Sequence, residues 1–294
     1  MSISMAAFTM NDAITKGLMD EMNAGQVMFV RGLFATVLVA LLAWQQDALR
    51  APLKILNPLV IARAGCELGA TIAFLTALAH MPIANISAVL QSLPLAVTMG
   101  AALLFGERVG WRRWMAISIG FAGVMVVVRP GFEGFSVYSL FALACVVFCA
   151  LRDLITRKIP SEIPSLLVSA VTAGVVSLFG LVLVVPLGGW TELTVESTGR
   201  LAAAALLLMP GYVFIILAMR TGDVSFVAPF RYTALLWAIL LGVVFFDELP
   251  DFAMLVGATL VIGSGLYTLY RESIVGRRKP ISESTGAAMA PDGT

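Results

Sequence analysis

Continuous apolar runs of roughly 20 residues recur along most of this chain, and that length matches the apolar thickness of a lipid bilayer. The run VAPFRYTALLWAILLGVVFF at 227–246, for example, contains one charged residue, Arg231. Of the 294 residues, 60% are hydrophobic and 13% are charged, whereas a soluble protein is roughly half apolar and a quarter charged. So few charges are too few to cover so much apolar surface in water. The pattern therefore predicts a polytopic membrane protein.

The runs also decide between the two structures that satisfy the backbone inside lipid, the helical bundle and the closed barrel. A barrel strand is a short segment of alternating polarity, whereas these runs are long and continuous. The sequence therefore predicts an all-α membrane protein with about ten transmembrane helices. We place these helices near residues 2–20, 25–44, 58–80, 83–106, 111–129, 135–156, 164–186, 200–219, 223–246 and 250–270.

Basic residues in the connections predict the orientation, since cytoplasmic loops carry most of the Lys and Arg. With the N-terminus inside, Lys16, Arg129 and Arg200 fall on the outer side and the other loop cations fall on the inner side. Both termini are therefore expected in the cytoplasm. The polar segment 273–294, rich in Ser, Gly and Pro, predicts a disordered cytoplasmic tail.

The chain contains a weak internal repeat. FGERVGWRRW closes the fourth predicted helix and FDELPDFAML closes the ninth, which places Glu107 and Glu248 at equivalent positions, 141 residues apart (248 − 107 = 141). Residues 1–131 and 132–272 then form two units of five helices each. Because five is an odd number, the second unit must be inverted relative to the first. Two inverted repeats around a central cavity are typical of secondary transporters.

Several segments resemble the drug/metabolite transporter superfamily, and in particular its EamA-like branch. The matching segments are MNDAITK at 10–16, FVRGLFA at 29–35, ALAHMPIANISAVLQSLPL at 77–95, LFGERVGWRRWMAISIGFAGV at 104–124 and APFRYTALLWAILLGVVFFDELP at 228–250. The resemblance covers nearly the whole chain except the tail. It implies a basket-like bundle around a central cavity, and the transport of metabolites, including aromatic and other amino acids, across a bacterial inner membrane.

Arg231 is the first candidate for substrate binding, because an arginine at the centre of a membrane helix costs about 2.5–3.5 kcal/mol on insertion scales. The sequence has no acidic residue three or four positions from it. Tyr232 and Trp237 follow Arg231, so that the guanidinium can bind a carboxylate while the rings contact an apolar side chain. The alternative is that Arg231 snorkels to the membrane surface.

Four other residues are candidates for the wall of a substrate cavity. Gln91 and Ser87 share a polar face of the fourth predicted helix, close to Pro94, which weakens that helix. Asn11 lies in the first helix, and Tyr212 follows a proline in the eighth. The alternative for each of these residues is ordinary packing in the protein core.

Three residues are candidates for coupling transport to protons, and each has a structural alternative. His80, the single histidine, ends the third predicted helix and is a candidate for both substrate binding and coupling; the alternative is a passive interfacial residue. Asp12 and Glu67 are candidates for coupling alone. Lys16 and Arg63 lie four residues from these two carboxylates, so that each charge can be neutralised within its own helix.

Two further features are expected to have structural roles. Glu107 and Glu248 each precede a predicted helix, where a carboxylate favours the N-terminal end of the helix dipole. Gly65, Gly69 and Ala73 form a ridge of small residues on the third helix, which allows another helix to approach closely.

The residues and the resemblance together predict an inner-membrane carrier that exports small metabolites by alternating access, with aromatic or other apolar amino acids as substrates. Efflux of lipophilic cations and uptake of a nucleoside-like metabolite are the alternatives. One histidine, with no metal-ligand or phosphate-binding spacing, argues against an enzyme, a cofactor and a metal. The net charge of +1 argues against a nucleic-acid partner. One chain of ten helices can enclose a site unaided, so we expect a functional monomer in the bilayer.

Overall fold

The computed structural model describes residues 1–45, 56–107, 109–129, 136–160, 162–221 and 227–275. The regular secondary structure within these ranges is entirely helical. Eleven α-helices and one 3-10 helix, η1, follow one another in the order α1 (Ser2–Leu18), α2 (Ala24–Gln45), α3 (Pro58–His80), α4 (Ile83–Leu90), α5 (Leu93–Phe105), α6 (Trp111–Val128), α7 (Tyr138–Thr156), α8 (Ser165–Val184), α9 (Val195–Thr221), η1 (Ala228–Tyr232), α10 (Thr233–Phe246) and α11 (Phe252–Val275).

Nine helical segments in the described part of the chain are long and apolar enough to cross a membrane. One of them, Ile83–Phe105, comprises α4 and α5, and another, Pro229–Phe246, comprises most of η1 and α10. Helix α1 has 17 residues, which corresponds to about 25 Å at 1.5 Å per residue. It packs within the bundle against α9 and α10. The prediction of an all-α membrane protein is therefore confirmed, and α1 is not among the nine segments of the described residues that are long and apolar enough to cross a membrane.

The fourth predicted helix is interrupted between Leu90 and Leu93. Pro94 has no amide hydrogen to donate to the carbonyl of Leu90, four residues earlier, so the regular helical bonding is lost at this point. The hydroxyl of Ser92 donates to the carbonyl of Val89 at 2.7 Å, which satisfies one acceptor beside the break. The helix-weakening effect expected of this proline thus appears as two separate helices.

Helices α5 and α10 end in the same way. Gly106 and Asp247, which follow their last turns, both adopt the left-handed conformation, with φ of 66° and 53°. The amides of the next residues, Glu107 and Glu248, donate to the carbonyl six positions earlier at 3.3 and 3.0 Å. This type of cap satisfies carbonyl groups that the end of a helix leaves without partners. The two FxE segments of the internal repeat therefore share one backbone conformation.

The most extensive helix contacts all join the first half of the chain to the second, pairing α2 with α8, α6 with α11, α3 with α7 and α1 with α9. Helix α5 also contacts α7, and α1 contacts α10. When the two halves are exchanged, the α3–α7 contact becomes the α9–α1 contact, and the α5–α7 contact becomes the α10–α1 contact. These contacts therefore keep the same pattern when the halves are exchanged.

Glycines permit the closest of these approaches. A Cβ atom added to Gly123 of α6 would lie 2.8 Å from the carbonyl oxygen of Gly257 on α11. A Cβ atom added to Gly180 of α8 would lie 2.6 Å from the backbone nitrogen of Phe29 on α2. Because the opposing atoms belong to the backbone, larger residues at these positions would push the helices apart.

The small residues predicted to form a ridge on α3 pack only in part. A Cβ atom at Gly69 would lie 2.9 Å from the ring of Phe148 on α7, and Ala73 is buried. A Cβ atom at Gly65, by contrast, would meet no other atom within 4 Å. The close approach therefore occurs at the middle of α3 and not at Gly65.

A groove of about 480 Å³ lies between α6 and α11. Its lining residues are Trp111, Arg112, Met115, Ala116, Ile119, Thr259, Leu260, Gly263, Ser264 and Tyr267. Several of them, such as Trp111 and Met115, are exposed apolar side chains on the outside of the bundle. The lining includes no residue that the sequence predicts for substrate binding or coupling.

Candidate functional site

The two halves depart from regular α-helix at corresponding positions, by a break between α4 and α5 in the first half and by the 3-10 helix η1 before α10 in the second. Gln91 follows the last residue of α4, and Tyr232 is the last residue of η1, where the chain passes into α10. These two positions differ by the same 141 residues that separate Glu107 from Glu248. Interrupted helices at corresponding positions of two halves are the best structural indication of a binding site in a transporter fold. The two breaks therefore mark the candidate site, and Arg231 lies at one of them.

A group of charged residues, here called the α7 cluster, consists of Glu67, Arg152 and Asp153. Nη1 of Arg152 donates to both carboxylate oxygens of Glu67, at 3.3 and 3.2 Å, and its Nε donates to Oδ1 of Asp153 at 2.8 Å. Asp153 is fully buried, and its Oδ2 has no hydrogen-bond partner among the described residues. Arg231 also interacts electrostatically with Asp153. The structure thus brings two predicted site residues, Arg231 and Glu67, to the same group of charges.

Arg63 lies on α3 one turn before Glu67 and is also buried. Its Nε donates to the hydroxyl of Thr156 on α7 at 3.0 Å, and its Nη1 donates to the hydroxyl of Thr172 on α8 at 2.7 Å. The sequence predicted neutralisation of Glu67 by Arg63 within one helix. The structure shows that Glu67 binds a cation from another helix, Arg152, which the spacing along α3 does not indicate.

A second polar group, here called the α1 cluster, consists of Asn11, Asp12, Thr15 and Arg31. The side-chain Nδ2 of Asn11 donates to Oδ1 of Asp12 at 2.9 Å. Nη1 of Arg31, on α2, lies 3.4 Å from both the side-chain Oδ1 of Asn11 and the hydroxyl of Thr15. Arg31 also interacts electrostatically with Asp12. The polar residues that interrupt the first predicted helix are therefore joined to the second helix.

The alternative in which Lys16 neutralises Asp12 within α1 does not match the ion pair that the structure shows for Lys16. Nζ of Lys16 lies 2.6 Å from Oε1 of Glu248, which belongs to the other half of the chain. The predicted role of Glu248 at the N-terminus of α11 also needs correction, because Asp251 is the residue whose side chain caps that helix. Glu248 accepts a hydrogen bond from the amide of Ile83, at the start of α4, at 2.9 Å. Lys16 and Glu248 thus each interact with groups that are distant in the sequence, and not with the local groups that the spacing suggested.

A short motif in the sequence relates the α1 and α7 clusters. Residues 12–16 read DAITK, and residues 153–157, which are 141 positions further on, read DLITR. Arg152 and Asp153 are not among the predicted site residues. The repeated DxIT[KR] motif was the signal that could have identified Asp153, because it places this residue at the position equivalent to Asp12.

His80 lies at the last position of α3 and is exposed. Its ring stacks on the ring of Tyr138 with a centroid distance of 3.8 Å and an interplanar angle of 9°. Its Nδ1 lies 2.9 Å from the carbonyl oxygen of Thr76. The structure therefore places His80 at a helix end, apart from the α7 cluster, and its role in binding or coupling stays a prediction.

The remaining predicted residues differ in their surroundings. Ser87 on α4 and Trp237 on α10 are partly exposed. Tyr232 is buried, and its hydroxyl points at Gly265 of α11 without a hydrogen-bond partner among the described residues. Tyr212 lies in α9, but its side chain is outside the described part of the structure. Their roles as substrate contacts stay predictions.

The described residues include no group of three or more His, Cys, Asp or Glu that could hold a metal ion. The three cysteines, Cys66, Cys145 and Cys149, are free thiols, and the last two are buried. The polar groups of the candidate site described above are charged and hydrogen-bonding side chains. Such groups can bind an organic solute with complementary charges.

Comparison with known proteins agrees with this architecture. The model of the EamA-like transporter family matches residues 1–129 and 136–270. A crystal structure of a protein 21% identical in sequence aligns with a TM-score of 0.62, covering 92% of this chain and 97% of that chain. The structural likeness concerns the fold alone.

Three similar proteins carry different solutes. The S-adenosylmethionine uptake transporter of Rickettsia conorii is 28% identical over 289 residues, which cover 96% of this chain and 95% of the relative. The riboflavin transporter of Rhizobium johnstonii is 29% identical over 239 residues, which cover 78% of this chain and 74% of the relative. The pseudopaline exporter of Pseudomonas aeruginosa is 25% identical over 266 residues, which cover 88% of this chain and 91% of the relative.

Proposed function

Since this chain belongs to the EamA-like transporter family, we propose that it carries small zwitterionic metabolites across the bacterial inner membrane by alternating access. The observation that carries this proposal is the pair of departures from regular α-helix in corresponding positions of the two halves, the break at Gln91 and the 3-10 turn that contains Arg231 and Tyr232. An interruption inside the membrane leaves backbone polar groups that are tolerated only in protein or beside water. In secondary transporters such interruptions surround the substrate.

The proposed carrier consists of two inverted repeats, residues 1–131 and 132–272, around a water-filled cavity. The offset of 141 residues supports this division, because it relates DAITK to DLITR and the left-handed cap at Gly106 to the one at Asp247. The helix contacts, which keep their pattern when the halves are exchanged, support it as well. One chain then encloses the site, and both termini face the cytoplasm.

Charges of both signs beside the interrupted helices favour a zwitterionic substrate. Arg231 offers a guanidinium that can bind a carboxylate in bidentate geometry. Asp153 offers a carboxylate oxygen without a hydrogen-bond partner among the described residues, which suits the cationic group of the same molecule. Trp237 and the other aromatic candidates offer ring surface to its apolar part. An α-amino acid combines these three features.

Two substrate classes have this chemistry. Export of amino acids, in particular aromatic or other apolar ones, is the first. Uptake of a larger metabolite that joins an amino-acid group to a nucleoside is the second, and the similarity to an S-adenosylmethionine uptake transporter along nearly the whole chain favours it. Both classes require the same recognition of a carboxylate and a cationic group.

Efflux of lipophilic cations has less support. A cation carrier needs a carboxylate inside the membrane that no protein cation neutralises. Glu67 and Asp153 are both paired with Arg152, and Asp12 interacts electrostatically with Arg31. A lipophilic cation would have to compete with a guanidinium at either position.

Counterflow in proteoliposomes tests the proposed function. The purified protein would be reconstituted and tested with labelled phenylalanine, S-adenosylmethionine, riboflavin and a quaternary ammonium cation. We expect saturable counterflow of phenylalanine or of S-adenosylmethionine, and none of the quaternary cation. Counterflow of S-adenosylmethionine but not of phenylalanine would select the second substrate class. Preferential counterflow of the cation, or of riboflavin alone, would overturn the zwitterion proposal.

A control variant is available on the surface of the protein. Glu21 pairs with Arg200 at 3.0 Å, and both side chains are nearly half exposed. Glu21→Gln should leave counterflow unchanged, because an exposed ion pair contributes little to the structure. Liposomes without protein give the background rate for each compound.

A further inference from the structure

One ion pair joins the two halves at the start of α4. Nζ of Lys16, near the end of α1, lies 2.6 Å from Oε1 of Glu248, just beyond α10. The same ammonium group donates to the carbonyl of Met81 at 2.5 Å, and Oε2 of Glu248 accepts from the amide of Ile83 at 2.9 Å. The side chains of Lys16 and Glu248 are 13% and 19% exposed. The pair therefore holds the ends of α1, α3, α4 and α10 together.

A second ion pair, again between a basic residue and a glutamate, lies at the other end of the α4–α5 segment. Nη2 of Arg157, just beyond α7, lies 2.9 Å from Oε1 of Glu107, just beyond α5. These two side chains are 28% and 30% exposed. The guanidinium lies 6.0 Å from the ring centroid of Phe105, as the Lys16 ammonium lies 5.3 Å from that of Phe246. Each pair thus combines a DxIT[KR] cation with an FxE segment.

The two pairs are equivalent and lie on opposite sides of the bundle. Lys16 and Arg157 are 141 residues apart, as are Glu248 and Glu107. In each pair the cation comes from one half and the carboxylate from the other. Ile83 contacts the first pair, and Glu107 of the second pair lies two residues after the end of α5. The α4–α5 segment of 23 residues therefore separates the pairs by about 35 Å at 1.5 Å per residue.

We propose that the Lys16–Glu248 and Arg157–Glu107 pairs are the two gates of the carrier, and that one of them opens each time the cavity opens to its side of the membrane. This inference rests on the proposed transport function. The physical reason is that each pair connects helix ends from different halves, and these ends must separate when one half tilts against the other. Both pairs are at the bundle ends and partly exposed, so water can solvate the charges when they part.

The experiment measures the side from which a cysteine in the cavity is reached. Ser87→Cys, on α4 just before the interruption, would be introduced into a variant whose three native cysteines are replaced by alanine. A membrane-impermeant maleimide would be applied to right-side-out and to inverted membrane vesicles. The labelling rates are compared for the parent, Glu248→Gln and Glu107→Gln.

The two substitutions should have opposite effects. Loss of the first pair should raise the labelling rate about threefold to fivefold from one side of the membrane and lower it from the other. Loss of the second pair should do the reverse. A purely structural role would change both labelling rates in the same direction for both variants. Labelling rates equal to those of the parent from both sides in both variants would overturn the proposal. Rates that change in the same direction in both variants would overturn it as well.

Two additional variants separate gating from misfolding. Lys16→Arg keeps a cation opposite Glu248, as Arg157 is opposite Glu107, and should leave the labelling ratio close to that of the parent. Glu21→Gln removes a surface carboxylate and should not change the ratio. If Lys16→Arg labelled like Glu248→Gln, the first gate would not depend on the ion pair, and the proposal would fail.

The labelling result does not depend on the substrate. If the parent moves none of the tested solutes but the two variants shift labelling in opposite directions, the gates are supported and the substrate proposal fails. If the parent transports a zwitterion and the labelling rates do not shift, the gate proposal fails and the proposed function stands.

Discussion

Glu67 on α3 and Arg152 on α7 form an ion pair across the two halves of the chain, with 3.2 Å between Oε2 and Nη1. The same guanidinium also binds the neighbouring carboxylate of Asp153 at 2.8 Å. One guanidinium thus contacts two carboxylates inside the membrane, where an uncompensated charge is costly. Arg152 is therefore expected to be the residue on which this part of the bundle depends most.

Arg152→Gln should lower the stability of the purified protein by about 3–5 kcal/mol, because it leaves two carboxylates without their cation. Glu67→Gln should have a smaller effect, since Arg152 keeps its contact with the buried Asp153. Thermal unfolding in detergent measures the loss of stability in each of the two variants. Glu196→Gln is the matched control, because its side chain is 71% exposed in its pair with Arg200. An unchanged midpoint for Arg152→Gln would show that the α7 cluster does not stabilise the fold.

Arg231→Ala and Gln91→Ala should each reduce transport at least about tenfold, as expected for the loss of a hydrogen bond or charge contact to the substrate. Membrane insertion and the elution profile in detergent should stay as in the parent. Leu103→Ala removes an exposed apolar side chain of α5 and serves as the control for both. Normal transport by both site variants would show that the residues at these two helix breaks do not contribute to the substrate site.

Gly123→Ala should destabilise the protein by about 1–3 kcal/mol, because the new methyl group meets the backbone of α11 and a close-packed site has no room for it. Gly65→Ala should be neutral, or stabilising by about 0.5–1 kcal/mol, because the added methyl group has open space and alanine favours the helix. The two unfolding midpoints, measured side by side, check this. The opposite order would mean that the α6–α11 approach is looser than the structure shows.

Tyr232→Phe should not lower the unfolding midpoint and can raise it. The hydroxyl of Tyr232 is buried and has no hydrogen-bond partner among the described residues, and such a group costs about 1–3 kcal/mol. The phenylalanine ring keeps the packing against α11. A clear loss of stability would indicate that the hydroxyl has a partner, such as water. Phenylalanine is used for this test because tryptophan would add volume at the same position.

The helices themselves were predictable because apolar length is a local property. The predicted ranges 58–80 and 83–106 correspond closely to α3 and to the α4–α5 segment. Pro94 also indicated where the fourth span weakens, since a missing amide hydrogen is visible in the sequence. The partners of the charged residues were less predictable. Spacing along one helix suggested Asp12 for Lys16, whereas the structure pairs Lys16 with Glu248.

The sequence by itself determined that the chain is a bundle of membrane helices. Long apolar runs with so few charges belong in lipid, where only helices and closed barrels satisfy the hydrogen bonds of the backbone. It also contained the repeat, through Glu107 and Glu248 and through the two DxIT[KR] segments. Only the tertiary structure decided which charges meet. An ion pair between Lys16 and Glu248, or between Glu67 and Arg152, depends on how helices far apart in the chain pack side by side. That packing is a property of the whole bundle, so no local pattern could have specified it.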